Sequence, residues 1–277
     1  MGLLGDPSLA GVLILLGALL ATGAVAGLMA GLLGVGGGIV IVPVLFHVFT
    51  LLDVDESIRM HQAVGTSLAT IIVTAFMSSR SHYRKGSLDP GLLRQLIPGV
   101  VIGVVLGGIA SRWLSGAFLT GLFGVVAFAV ALNMFRRQAP RFGKGLPGPI
   151  GTGLLGTVIG SISTLMGIGG GTLSVPIMSG LGASMRVAVG TGAAVGLVIS
   201  VPGTVSFMLS GLGVEDRLFG SLGYVNLLGF AAIVPMTMLC APLGVRLAHR
   251  LDPSLLRRLF AVFLLITALR MLFSLVS

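Results

Sequence analysis

Thr66 and Thr191 hold the same place in two copies of one string, Ala63-Val64-Gly65-Thr66 and Ala188-Val189-Gly190-Thr191. A glycine cluster precedes each copy. The first reads Gly34-Val35-Gly36-Gly37-Gly38 and the second Gly167-Ile168-Gly169-Gly170-Gly171, with Pro43 and Pro176 following after four intervening residues. Consecutive glycines open positive φ and remove the side chains that keep a ligand from the backbone. Threonine and serine hydroxyls donate a hydrogen bond without adding charge. This is chemistry for holding an anion rather than for making or breaking a bond. The candidate binding set is Gly36, Gly37, Gly38, Thr66 and Ser67 in the first copy, with Gly169, Gly170, Gly171, Thr172 and Thr191 in the second. His61 and Arg186 stand two residues ahead of the repeated string in either copy. They are placed to attract an anion at the two mouths of a pathway, or to anchor helix ends at the interface.

The elements that position these residues are membrane helices. Of 277 residues 55% are hydrophobic and 9% charged, and the mean hydropathy is +1.09, far beyond what a soluble domain needs. Apolar segments are expected near 8–33, 39–52, 60–80, 92–111, 116–135, 147–166, 172–183, 185–210, 220–247 and 254–276. The fold class is thus all-α and polytopic, with about ten spans. Two segments, 39–52 and 172–183, are short for a ~30 Å hydrocarbon core, and each follows a glycine cluster. A broken, re-entrant half-helix fits both. Its N-terminal N–H groups point back at the break, where an anion is favoured. Tight helix packing is the other use of such glycines, but the duplication argues for a site.

The repetition extends over the chain. Leu106-Gly107, Leu114 and Leu122-Phe123 match Leu243-Gly244, Leu251 and Leu259-Phe260 at constant spacing. We therefore expect a five-span repeat over 1–135, a basic cytoplasmic linker over 136–146, and a second five-span repeat over 147–277. Five is odd, so the second repeat is inverted. If all ten spans cross, 13 of the 17 Lys and Arg fall on one face, which the positive-inside rule makes cytoplasmic. Both termini then lie outside, in an inner (plasma) membrane.

The net charge of +9 is spread over short loops between spans and suggests no nucleic-acid partner. Gln62, Thr66, Thr70, Thr74 and Ser78 recur every four residues. For the last three, bonding back to the i−4 carbonyl or gluing helices together is the expectation. There is no Walker loop, no H-E-x-x-H and no cysteine–histidine cluster, so no cofactor or metal is expected, and no enzyme. The expected partners are the lipid bilayer, a small anionic substrate and, as an open matter, further copies of the chain.

The ordered set of Gly31-Leu32-Leu33-Gly34-Val35-Gly36-Gly37-Gly38 with Pro43, Ala63-Val64-Gly65-Thr66-Ser67, Gly167-Ile168-Gly169-Gly170-Gly171 with Pro176, and Val189-Gly190-Thr191 resembles the sulfite exporter TauE/SafE family. The resemblance covers essentially the whole chain. It implies a permease for small sulfur oxyanions or sulfonates, such as sulfite or a sulfo-carboxylate, working by alternating access. An anion channel and a non-transporting scaffold subunit stay as alternatives. Gly192 stands where the first copy has Ser67, so the two halves cannot offer identical hydroxyl sets.

Overall fold

The computed structural model describes residues 9–33, 36–135, 145, 147–247 and 253–275. Apart from Gly145, the expected linker 136–146 lies outside the described residues. Ten helices form among those described: α1 (Leu9–Leu33), α2 (Gly38–Leu51), α3 (Glu56–Arg84), α4 (Pro90–Ala110), α5 (Gly116–Phe135), α6 (Pro149–Met166), α7 (Gly171–Gly180), α8 (Met185–Ser210), α9 (Leu227–Leu247) and α10 (Pro253–Phe273). Each expected apolar segment is matched by one of them. The helices α3, α4, α5, α6, α8 and α9 are individually long and apolar enough to cross a membrane. With 14 and 10 residues, α2 and α7 extend only ~21 and ~15 Å.

Local chemistry sets the boundaries. The Asp55 carboxylate accepts the Ser57 N–H at the start of α3, and Asp89 accepts the Gly91 and Leu92 N–H groups at the start of α4. Ser184 accepts from Val187 N–H ahead of α8. Pro90 and Pro149 take the first helical turn, where a missing N–H costs nothing. Residues 220–226, expected as the start of an apolar span, instead form a hairpin of β1 (Ser221–Leu222) and β2 (Val225–Asn226). The cause is local: Gly220 and Gly223 take φ of 77° and 57°, which no α-helix accommodates.

Of the six helices long enough to cross, α3 is the most enclosed: 78% of its apolar window is buried, against 56% for α8 and 33–44% for the four outer spans. These two helices pack on each other at the centre, with α2 against α3 and α7 against α8. Around them α1 packs on α9, α4 on α6 and α5 on α10. The first two of these pairs are parallel and run close. A Cβ on Gly27 would lie 2.9 Å from Thr237 Cα, and one on Gly31 only 2.7 Å from Val245 N. A Cβ on Gly103 would lie 2.8 Å from Ser161 N. Glycine at these contacts lets backbones approach where lipid supplies no hydrophobic drive. The outward faces carry large apolar side chains such as Ile102, Leu106, Phe118 and Leu239.

The loops sort onto two ends. At one, Lys85 Nζ donates to Val245 O (3.1 Å) and Gly145 N–H donates to Leu181 O (2.8 Å). At the other, His61 Nε2 lies 3.2 and 3.1 Å from the carbonyls of Ser111 and Leu114, and Arg112 Nε donates to Ser210 Oγ (3.2 Å).

Candidate functional site

The two glycine breaks meet inside the bundle. A Cβ on Gly36 would lie 2.8 Å from Gly169 Cα, and one on Gly38 would lie 3.0 Å from Ile168 Cα. All of Gly36, Gly37, Gly38, Gly169, Gly170 and Gly171 are buried. Gly36 and Gly37 have φ of 75° and 78° and Gly167 has 65°, so the left-handed turn demands glycine in both breaks. The breaks launch α2 and α7, whose N-caps are Gly37 and Gly170; no side chain caps either helix. Of the first-turn N–H groups, Val40 donates to Gly37 O and Thr172 to Gly169 O, while those of Gly38, Ile39, Gly171 and Leu173 have no partner within their own helix. Both N-terminal ends thus bring electropositive backbone to the middle of the molecule.

The repeated string does something the sequence reading missed. Thr66 Oγ1 accepts a hydrogen bond from the Asn226 N–H (2.8 Å), and Thr191 Oγ1 accepts one from the Asp89 N–H (3.1 Å). Asn226 and Asp89 occupy equivalent places, just ahead of the fourth helix of the opposite half. Asn226 Oδ1 accepts from Gly229 N–H as Asp89 accepts from Gly91. The neighbouring glycines make room: a Cβ on Gly65 would lie 2.8 Å from Tyr224 O, and one on Gly190 would meet the backbone of Ser87 and lie 3.1 Å from Leu88 N. The string is thus a clip that fastens each half to the other. Thr66 and Thr191 lie in these clips, each using its oxygen lone pairs there, while Ser67 reaches the second break and donates to Gly167 O (2.7 Å). A polar capping residue before the fourth helix of each half was the signal available in sequence. Its partner lies 160 or 102 residues away.

His61 and Arg186 part company. Arg186 is exposed. His61 is buried, with its ring 5.0 Å from that of Tyr224 and 6.4 Å from that of Phe207. Thr70 and Thr74 donate back to Ser67 O and Thr70 O in their own helix, as expected, and Ser78 donates to Ala30 O.

Four further hydroxyls cluster in sequence around the second break. The Ser163, Thr164, Thr172 and Ser174 oxygens are buried and have no hydrogen-bond partner. Of these only Thr172 is in the candidate set derived from sequence. Two surface depressions, one along residues 213–221 and one between Asp89, Gly91, Gln95 and Ser184, do not include the breaks. Among the described residues, no group of His, Cys, Asp and Glu could hold a metal ion.

Six helices long and apolar enough to cross a membrane, with apolar side chains on their outward faces, define a multi-pass membrane protein. The chain belongs to the sulfite exporter TauE/SafE family, whose model matches residues 19–271. It is similar to a probable membrane transporter protein of Haemophilus influenzae, 34% identical over 256 residues covering 91% of this chain and 96% of the relative. A probable membrane transporter protein of Methanocaldococcus jannaschii is 25% identical over 272 residues, 94% and 96% of the two chains. The probable membrane transporter protein YunE of Bacillus subtilis is 27% identical over 277 residues, 92% and 96%. No solved structure matches the chain. Family and relatives make it a membrane transporter.

Proposed function

We propose that the chain is a secondary transporter of a small oxyanion, a sulfur oxyanion or organosulfonate such as sulfite or a sulfo-carboxylate. The observation that carries this reading is the meeting of two uncapped helix N-termini at buried glycine breaks. Backbone N–H groups around Gly36–Gly38 and Gly169–Gly171, with the Thr172 hydroxyl, would hold the anion. The Thr66, Ser67 and Thr191 hydroxyls would add donors to that site, Ser67 by releasing the Gly167 carbonyl. Arg186, exposed, would draw an anion to one mouth, and His61 would serve the other from beneath the surface.

The two halves act as inverted repeats. In support, α1 runs parallel to α9 and α4 parallel to α6, so the first and fourth helices of each half exchange partners. The end holding Lys85, Gly145 and Arg186 is the basic one, and we assign it to the cytoplasm of an inner-membrane protein with both termini outside. Rocking of one half against the other would alternate access to the breaks.

The test is flux in proteoliposomes. Gly37→Leu and Gly170→Leu, in protein that inserts and stays folded, should each abolish uptake of labelled sulfite or sulfonate. Uptake at the wild-type rate in both variants would remove the breaks from the pathway.

A further inference from the structure

The two breaks are built on one plan but are not equally able to hold a ligand. In the first, Ile39 and Ile41 open α2, and Ile71 of α3 lies over the break. Ile71 Cγ2 would be 3.5 Å from a Cβ on Gly36, and Cδ1 2.6 Å from one on Gly38. In the second, the residues equivalent to Ile39 and Ile41 are Thr172 and Ser174, and the residue equivalent to Ile71 is Gly196. Gly196 places no side chain over the break: the nearest atoms to a Cβ there would be Gly170 N at 3.4 Å and Ala75 Cβ and Gly169 Cα at 3.7 Å, while Val195 and Ile199 of α8 pack against Gly170. Ser174 Oγ faces α8 at Gly192, 3.1 Å from where its Cβ would be. A glycine thus opposes the Ser174 hydroxyl, and hydroxyls stand where the first half has isoleucines.

Thr172 and Ser174 are 2% and 0% exposed, and neither oxygen has a hydrogen-bond partner. A buried hydroxyl left unpaired is destabilising, and an apolar residue carries no such cost, as with the isoleucines of the first half. Both hydroxyls sit in the first turn of α7, beside N–H groups that no side chain caps. Formal charge is missing from the surroundings. Neither α6 nor α7 carries a titratable side chain, and α8 has only Arg186 at its exposed start. On α3, which backs the break, His61 and His82 lie toward the two ends of the helix. Uncharged donors can solvate one negative charge. The cost of stripping water from an ion rises with the square of its charge, which leaves a dianion under-compensated here.

We infer that the chain has a single anion site, at the start of α7 against Gly192 and Gly196, and that it takes a singly charged oxyanion such as a sulfonate or bisulfite rather than a dianion such as sulfate. This rests on the oxyanion reading above and narrows it to one break and one charge state. Ser163 and Thr164 continue the unpartnered hydroxyls onto α6, on the far side of the break.

Calorimetric titration of purified protein with methanesulfonate, benzenesulfonate, bisulfite at mildly acidic pH, and sulfate separates the outcomes. The wild type should bind at least one monoanion and bind sulfate at least about tenfold more weakly. Thr172→Val with Ser174→Ala should lose at least about tenfold in affinity for that monoanion, since hydrogen bonds to charged groups are the strong ones. Its melting temperature should hold or rise, because two unpaired hydroxyls are gone. Ile71→Ala, at the first break, should stay within about twofold. Were the double variant not to fold, Ser174→Ala alone carries the same expectation. Unchanged affinity in the folded double variant, or sulfate bound as tightly as the monoanions, overturns the single-site inference and leaves the transporter reading standing. No binding of any anion by the wild type sinks both.

Discussion

At the clips the two halves of the molecule do the same thing with the same atoms. A threonine oxygen on the third helix receives the N–H of the residue that caps the fourth helix of the other half, and a glycine one residue earlier lets that loop close in. At the breaks the halves diverge. Gly36 and Gly37 are both left-handed and Ile71 lies over Gly36 and Gly38, whereas the second break has Gly196 in the place of Ile71 and unpartnered hydroxyls on either side in sequence. The difference teaches where duplicated sequence is held by geometry and where it is free to specialise. A clip has one solution: a small acceptor beside a glycine. A break needs only its glycines, and the residues flanking it can be filled with bulk or with donors.

The comparison is broken most directly at the clip glycines. Gly190→Ala drives a Cβ into the Ser87 carbonyl, and Gly65→Ala brings one to 2.8 Å from Tyr224 O. Each should cost about 2–3 kcal/mol, within the range of overpacking in a close contact. Thermal unfolding in detergent should show both well below wild type, with Gly190→Ala the lower. A smaller and symmetric loss is expected at the threonines. Thr66→Val and Thr191→Val each strand one backbone N–H, for about 1–2 kcal/mol, while the serine variants, which keep the acceptor, should unfold close to wild type. Markedly unequal valine losses would mean that the two clips are not equivalent.

Ser67→Ala tests the asymmetry from the side of the frame. It releases the Gly167 carbonyl and should cost about 1 kcal/mol, with no counterpart at Gly192. The smallest effect separates the starts of the two central helices. Asp55, ahead of α3, accepts from the Ser57 hydroxyl and N–H, and these bonds hold its pKa below the usual carboxylate value. A depressed carboxylate stabilises above its unfolded pKa and loses that contribution as pH falls through the folded one. Acid titration should therefore shrink the small melting difference between wild type and Asp55→Asn. Ser184, the neutral cap of α8, should give no such trend in Ser184→Ala.

Most of the scaffold was legible because membrane helices announce themselves by composition. Segments 116–135 and 185–210 coincide with α5 and α8. Residues 220–226 misled because they are apolar enough for a span, yet Gly220 and Gly223 turn the chain into a hairpin. The candidate site was legible in its glycines and only partly in its hydroxyls. Thr66 and Thr191 were visible as a repeated pair, but the N–H groups they receive come from residues distant in sequence, and no periodicity reports such a contact. Ser174 was passed over because a serine in a short apolar helix looks like ordinary packing until its lack of a partner is seen.

The exchange of partners between halves bears on how the molecule is made. Gly27 and Gly31 of α1 close against Thr237 and Val245 of α9, roughly two hundred residues later in the chain. At ribosomal speeds of about 5–20 residues per second, α1 waits on the order of 10–40 s in the bilayer before that surface is covered. Its glycine face must meanwhile rest against lipid or a helper protein. The first half made alone should remain incomplete in the membrane, and supplying the second half as a separate polypeptide should complete it.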